Sequence, residues 1–283
     1  MSRAYGFLAE EPEQHDGLCG GPNRDARIGL DVGGAGALPK RGAGLVHALP
    51  PFKDQGNSLT CCAHGWATGA ETTLAFKGIK VAPSSTRAMY TLSNELLRKN
   101  KNDRLSDEGT YLRVLGQATA DFGVPPESAW PLLAADGSIN DVRKEVPPDV
   151  LARASSWKLK EQLTVYEKRD ARIRTVCTAL AAGQALPCAG RVDSVFENYN
   201  GEGVIPAPNP TDDLGGHCVC IIDFETLADG SLEFLIVNSW KDWGFSLKIL
   251  SGEMRYSLAR VSAAWVMAQQ EIYRLDISHG RNL

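Results

Sequence analysis

No apolar run in these 283 residues approaches the ~18 that span a bilayer, and no charged start leads into an apolar segment. A membrane-spanning chain is thereby set aside, and residence in the cytoplasm is expected, with a non-classical export route left open. Basic blocks are missing too. The 30 lysines and arginines are outnumbered by 34 aspartates and glutamates, for a net charge of −4, so neither nucleic acid nor a membrane surface is expected as a partner. Histidine is scarce, with five scattered along the chain, and no Cys-x-x-Cys pair occurs. That spacing offers no metal site, and no metal or cofactor is expected. Cysteine itself is sparse: Cys19, Cys61, Cys62, Cys177, Cys188, Cys218 and Cys220 make an odd number, too thin for a disulfide-stapled scaffold. Reduced thiols are the simpler expectation.

What remains is a globular composition, 43% hydrophobic and 23% charged, long enough for one large or two closely packed domains. Residues 1–37 are rich in breakers, with Cys19-Gly20-Gly21-Pro22 and Gly33-Gly34-Ala35-Gly36, and carry no helical period. They read as an extended arm. Helical spacing then recurs at 84–100 (Met89, Leu92, Leu96, Leu97) and at 110–122 (Leu112, Leu115, Ala118, Phe122). Gly123 to Pro126 and Trp130-Pro131 punctuate the chain after these helices, and 133–165 carries little signal. A helix at 171–183 precedes strands at 185–195, 217–226, 232–238, 245–250 and 264–274, with Asp229-Gly230 as a hairpin turn. Helices first and strands afterwards predict an α+β fold.

The most informative stretch runs from Gln55 through Cys61, Cys62 and His64 to Glu71. A polar turn enters a helix there, with Ser58 or Thr60 as the cap, Ala63, Ala67, Ala70 and Leu74 as the buried face, and Gly78 as the stop. A thiol at a helix start is stabilised as thiolate by unpaired amides and the helix dipole, which makes Cys61 a candidate nucleophile. A lone cysteine in an apolar helix is more often a small core residue than a nucleophile, and only the linked residues elsewhere in the chain overturn that. Gly216-His217-Cys218 opens one predicted strand and Val237-Asn238-Ser239-Trp240 closes the next. A thiol needs a base, and the base needs a group to hold its ring, so Cys61, His217 and Asn238 can fill three linked roles. Cys62, Cys177 and Cys188 read as core thiols, Cys218 and Cys220 as packing residues on the strand face opposite His217, and His64 as a surface or core residue.

In this order and context the residues resemble the papain-like cysteine peptidases. The resemblance runs from about Leu38 to Trp265. It implies that Gln55, six residues before Cys61, donates its amide to the oxyanion, which selects Cys61 over Cys62. It further implies that Trp240 shields the His217–Asn238 bond and lines the substrate site, and that Gly109 belongs to the strip along which substrate backbone is aligned. A flexible residue before a helix would explain Gly109 equally well. Cys62 stands where the family usually has tryptophan, and Ser58 where secreted members have a disulfide cysteine; a remote, microbial or viral-type branch is implied. The implied architecture is a papain-like two-lobed fold, residues 38–131 mainly helical and 132–283 mainly antiparallel β, with the nucleophile helix facing the β lobe. The implied function is a cysteine endopeptidase acting on peptides or proteins through a thioester acyl-enzyme, expected as a monomer. A catalytically weak binding module on the same fold and an acyl transferase using the same residues are the alternatives. The arm, on this reading, is expected to be disordered or to pack outside the cleft, with insertion into the cleft as the other possibility.

Overall fold

A computed structural model describes residues 3–9, 38–154, 157–165 and 170–278, together with the backbone of 17–19. The first helix, α1 (Cys61–Phe76), is buried over almost its whole circumference from Cys61 to Leu74. Two glycines permit that depth. A Cβ on Gly65 would sit 2.6 Å from Cys218 Sγ, and one on Gly69 would sit 2.8 Å from Pro187, so the helix lies directly on strands β3 (Leu186–Val192) and β5 (Gly215–Thr226). Gly78, at φ 75°, ends the helix, and Ile79 N–H returns to the Leu74 carbonyl at 3.0 Å.

Helix α2 (Thr86–Leu97) starts at Ser85, whose hydroxyl accepts from Ala88 N–H at 3.0 Å, and helix α3 (Leu112–Phe122) packs beside it. Their inner faces hold Ala88, Met89, Leu92, Leu112, Leu115 and Ala118. Leu96, Leu97 and Phe122, expected to face inward, are exposed because the last turns of both helices run past the core. The core around α1 and α3 also takes in Leu132, Val142, Trp157 and Leu159, so the packing of this half continues beyond the expected division at 131.

The second half is a mostly antiparallel sheet. Among the described residues its strand order is β1-β2-β9-β3-β5-β6-β8-β4, with β7 on β8. The members not yet given are β1 (Gly17–Cys19), β2 (Lys158–Val165), β4 (Val204–Ile205), β6 (Leu232–Val237), β7 (Phe245–Lys248), β8 (Met254–Ser262) and β9 (Glu271–Ser278). Helix α4 (Asp170–Ala181) buries Ile173, Val176 and Leu180 in the core of this half, with Ile221, Phe234, Trp265 and Ile272. Two expectations need correction. The strand expected at 264–274 begins only at Glu271, and Ala263–Ala268 is a short helix whose N–H at Trp265 bonds the Ser262 hydroxyl. The strand expected at 185–195 stops at Val192, where Asp193 caps a helical turn, Ser194–Glu197, by accepting from Phe196 N–H at 2.9 Å.

Candidate active site

The β5–β6 pairing ends at Cys220 opposite Val237, so His217, three residues before Cys220 on β5, and Asn238, the first residue after β6, come to the same end of the two strands. Asn238 Oδ1 accepts from His217 Nε2 at 2.8 Å and from Ser239 N–H at 2.8 Å. An amide oxygen can only accept, so Nε2 carries hydrogen, and buried Nδ1, which has no nitrogen or oxygen partner, is the atom left for the neighbouring Cys61 thiol. Trp240 stacks on the ring with centroids 4.2 Å apart, and Phe196 meets it edge-on at 5.9 Å. The pair is thereby closed off from water on two sides.

Cys61 and Cys62 are both fully buried but differ in charge preference. Burial alone would raise the Cys61 thiol. Hydrogen bonds from Cys62 and from His217, the charge of that ring and the Cys218 backbone N–H outweigh it and hold Cys61 well below the ordinary thiol range. Cys62 is pushed well above that range by burial and by its contacts with the Cys218 and Cys61 thiols. It keeps its proton, and its Sγ also lies 3.4 Å from the Thr110 carbonyl. Thr60 occupies the position before α1, but its side chain makes no capping bond, and neither does the expected alternative Ser58. His64 lies in the core, where burial lowers it to about 4.

Gln55 is fixed at both ends of its amide. Oε1 accepts from Ser239 Oγ at 2.6 Å, which directs Nε2 to the Ser58 carbonyl at 2.9 Å and to the Ala4 carbonyl at 3.4 Å. Ala4 belongs to the arm, and for residues 3–9 the expectation that the arm packs outside the cleft fails. Gly6 carbonyl accepts from Thr110 N–H at 2.9 Å, Leu8 N–H donates to Thr110 carbonyl at 3.1 Å, and Phe7 N–H donates to Gly216 carbonyl at 3.1 Å. The segment is pinned to both halves at once. Tyr5 lies against the His217 and Trp240 rings and donates to Glu197 at 2.7 Å, while the Arg3 guanidinium sits 4.5 Å over Trp240. The stretches Gly20–Pro22 and Gly33–Gly36 lie outside the described residues.

The backbone pairing falls on Thr110 and not on the expected Gly109. Gly109 contributes by lacking a side chain, since a Cβ there would meet the Gly6 carbonyl at 2.3 Å. Gly216 does the same on the opposite wall, 2.4 Å from the Phe7 carbonyl. Thr110, Gly216, Ser239 and Glu197 escaped sequence reasoning. Only the Gly215-Gly216 pair ahead of the histidine carried a usable signal.

No family model matches the sequence, and no curated protein matches it. Solved structures do. Xylellain, a cysteine protease from Xylella fastidiosa, superposes with a TM-score of 0.70 at 19% identity, covering 99% of each chain. ProCathepsin B S9 from Trypanosoma congolense gives 0.67 at 13% identity over 98% of this chain and 87% of its own. The bromelain protease from Ananas comosus, solved with the E64 inhibitor, gives 0.60 at 15% identity over 84% and 99%. The chain has the papain-like fold. Within that fold His217 is in contact with Cys61, Asn238 and Trp240, Gln55 bonds Ser239 next to Asn238, and Gly109 lies against Gly6 of the arm.

Proposed function

We propose that this chain is a cysteine peptidase that hydrolyses peptide bonds through Cys61, His217 and Asn238, with Gln55 in the oxyanion hole. The observation that carries the reading is geometric: the Cys61 thiol neighbours a histidine whose far nitrogen is anchored on Asn238 Oδ1 at 2.8 Å and whose buried Nδ1 has no nitrogen or oxygen partner. The thiolate would attack the carbonyl carbon, and the oxyanion would be met by Cys61 N–H and Gln55 Nε2, each worth about 3 kcal/mol by comparison with other acyl-transfer sites. Imidazolium His217 would pass its Nδ1 proton to the leaving amine as the C–N bond breaks, leaving a thioester. Water would then attack with His217 taking its proton, releasing the carboxylic acid and the thiolate. Asn238 would hold the ring orientation throughout.

Occupation of the same cleft by residues 3–9 supports a latent form. The Ala4 carbonyl stands near the Gln55 donor in the manner of a substrate carbonyl, and Tyr5 covers the histidine. The test is hydrolysis of a fluorogenic peptide set by the full chain, by the chain with Tyr5→Ala and Phe7→Ala, and by each with Cys61→Ala. The reading expects weak turnover, a clear gain, and complete loss, in that order. Binding of peptides with no turnover in any form would replace it with a binding module.

A further inference from the structure

The loop from Asp54 into the first turn of α1 is held by buried side chains that the proposed chemistry does not touch. Ser58, Thr60 and His64 are all 3% exposed or less. Ser58 Oγ donates to the Gln55 carbonyl at 2.6 Å and lies 2.6 Å from Thr60 Oγ1. Because Ser58 has its single hydrogen on Gln55, Thr60 must donate the second bond. His64 Nδ1 lies 2.9 Å from the Thr60 carbonyl, which can only accept, so Nδ1 carries hydrogen; it also faces Thr60 Oγ1 at 3.2 Å. The hydrogens therefore run one way, from His64 through Thr60 and Ser58 to the main chain of Gln55.

Ser58 meets Gln55 three times. Its N–H donates to the Gln55 carbonyl at 3.2 Å, its hydroxyl bonds the same carbonyl, and its own carbonyl accepts one Gln55 Nε2 hydrogen at 2.9 Å. With Oε1 held by Ser239 and Gln55 N–H donating to the Ser239 carbonyl at 3.0 Å, the second Nε2 hydrogen points into the cleft, where Ala4 accepts it. Moving Ser58 would therefore turn the donor away.

We infer that His64 is a positioning residue for Gln55, acting through Thr60 and Ser58 to fix the direction of the Nε2–H that meets the carbonyl under attack. The inference rests on the peptidase reading above. An imidazole suits the task because it must be an uncharged donor in a buried place. Burial keeps it neutral down to about pH 4, assisted by the charges of Lys53 and His217 and opposed by the Thr60 and Asp54 carbonyls. Hydrogen bonding here takes the position where the family's secreted members have a covalent cross-link at residue 58. A buried chain of this kind is sensitive to loss of any member, since each partner left behind is unsatisfied.

The test is a double-mutant cycle in the full chain carrying Tyr5→Ala and Phe7→Ala, so that the arm does not compete with substrate for Gln55. His64→Leu is expected to lower kcat by roughly tenfold with KM nearly unchanged, a fraction of the 10²–10³ that follows loss of an oxyanion donor. His64→Asn, which keeps a donor at the Nδ1 position, should restore most of it, and Thr60→Val, which leaves the ring in place, should repeat the loss. In a Gln55→Ala background His64→Leu should cost nothing more. An equal cost in that background, or loss only where melting temperature falls in proportion, would assign His64 to fold stability and overturn the inference. Failure of His64→Leu to fold leaves Thr60→Val to decide by the same cycle. Absence of hydrolysis in the parent chain would instead overturn the peptidase reading, and this inference with it.

Discussion

Cys61 and Cys62 are adjacent and equally buried, yet only one sits where the His217 ring and the Cys218 N–H converge. Cys61→Ala should abolish hydrolysis, whereas Cys62→Ala should retain most of it and cost about 1 kcal/mol or less in stability through lost packing. The opposite order, read by peptide turnover and thermal melts, would mean that the register is shifted by one residue. His64 supplies a pH signature. Its value is lowered from 6.5 to about 4, so the unfolded chain binds the proton more readily. Stability from this group is full above pH 6.5 and is lost as pH falls towards 4, by up to about 3 kcal/mol. Melting temperature measured from pH 7 to 4 should fall less steeply in His64→Asn than in the parent. Cys61, His217, Asn238 and Gln55, proposed as nucleophile, base, orienter and oxyanion donor, stood out in the sequence because each such role demands a residue type in a recognisable local setting. Thr110 was not, because it acts through its backbone, which any residue has.

At the scale of elements, α1 lies close on β5 only because residues 65 and 69 lack side chains. Gly65→Ala would drive a Cβ to 2.6 Å from Cys218 Sγ and 3.0 Å from the Val219 carbonyl, and should destabilise the fold by about 1–3 kcal/mol, measurable by chemical denaturation. Residues 3–9 of the arm are held by main-chain bonds to Thr110 and Gly216 and by the Tyr5–Glu197 contact. Removing residues 1–9 should raise kcat/KM tenfold or more, and Glu197→Gln should give a smaller rise; unchanged turnover after truncation would show that the segment does not block substrate. Strand β8 went unread because its alternation is interrupted. Ser257 takes φ 60°, three consecutive residues are buried, and the period of two is lost. The Ala263–Ala268 turn was misread as strand because six residues are too few for a helical period to register.

Across the whole molecule, two cores meet at a cleft that the helix start enters from one side and the ends of β5 and β6 from the other. The order of elements made the α+β class legible. The placement of β2 and β9 beside the helices was not, since pairing over a hundred residues apart leaves no local pattern. Among the described residues no helix is long and apolar enough to cross a membrane, and the six cysteines with described side chains are free. Reducing agent should therefore leave the melting temperature unchanged. A fall in melting temperature on reduction would point to a disulfide that stabilises the folded chain.

The account turns on an activated thiolate at Cys61. The most direct measurement is the rate of iodoacetamide alkylation at each cysteine as a function of pH, followed by peptide mass spectrometry on the chain loosened by Tyr5→Ala and Phe7→Ala. Cys61 should react first and alone, with a rate that persists well below the ~8.5 of an ordinary thiol and moves towards it in His217→Ala. Labelling spread evenly over the cysteines, or a Cys61 rate that follows the ordinary thiol titration with His217 intact, would contradict it.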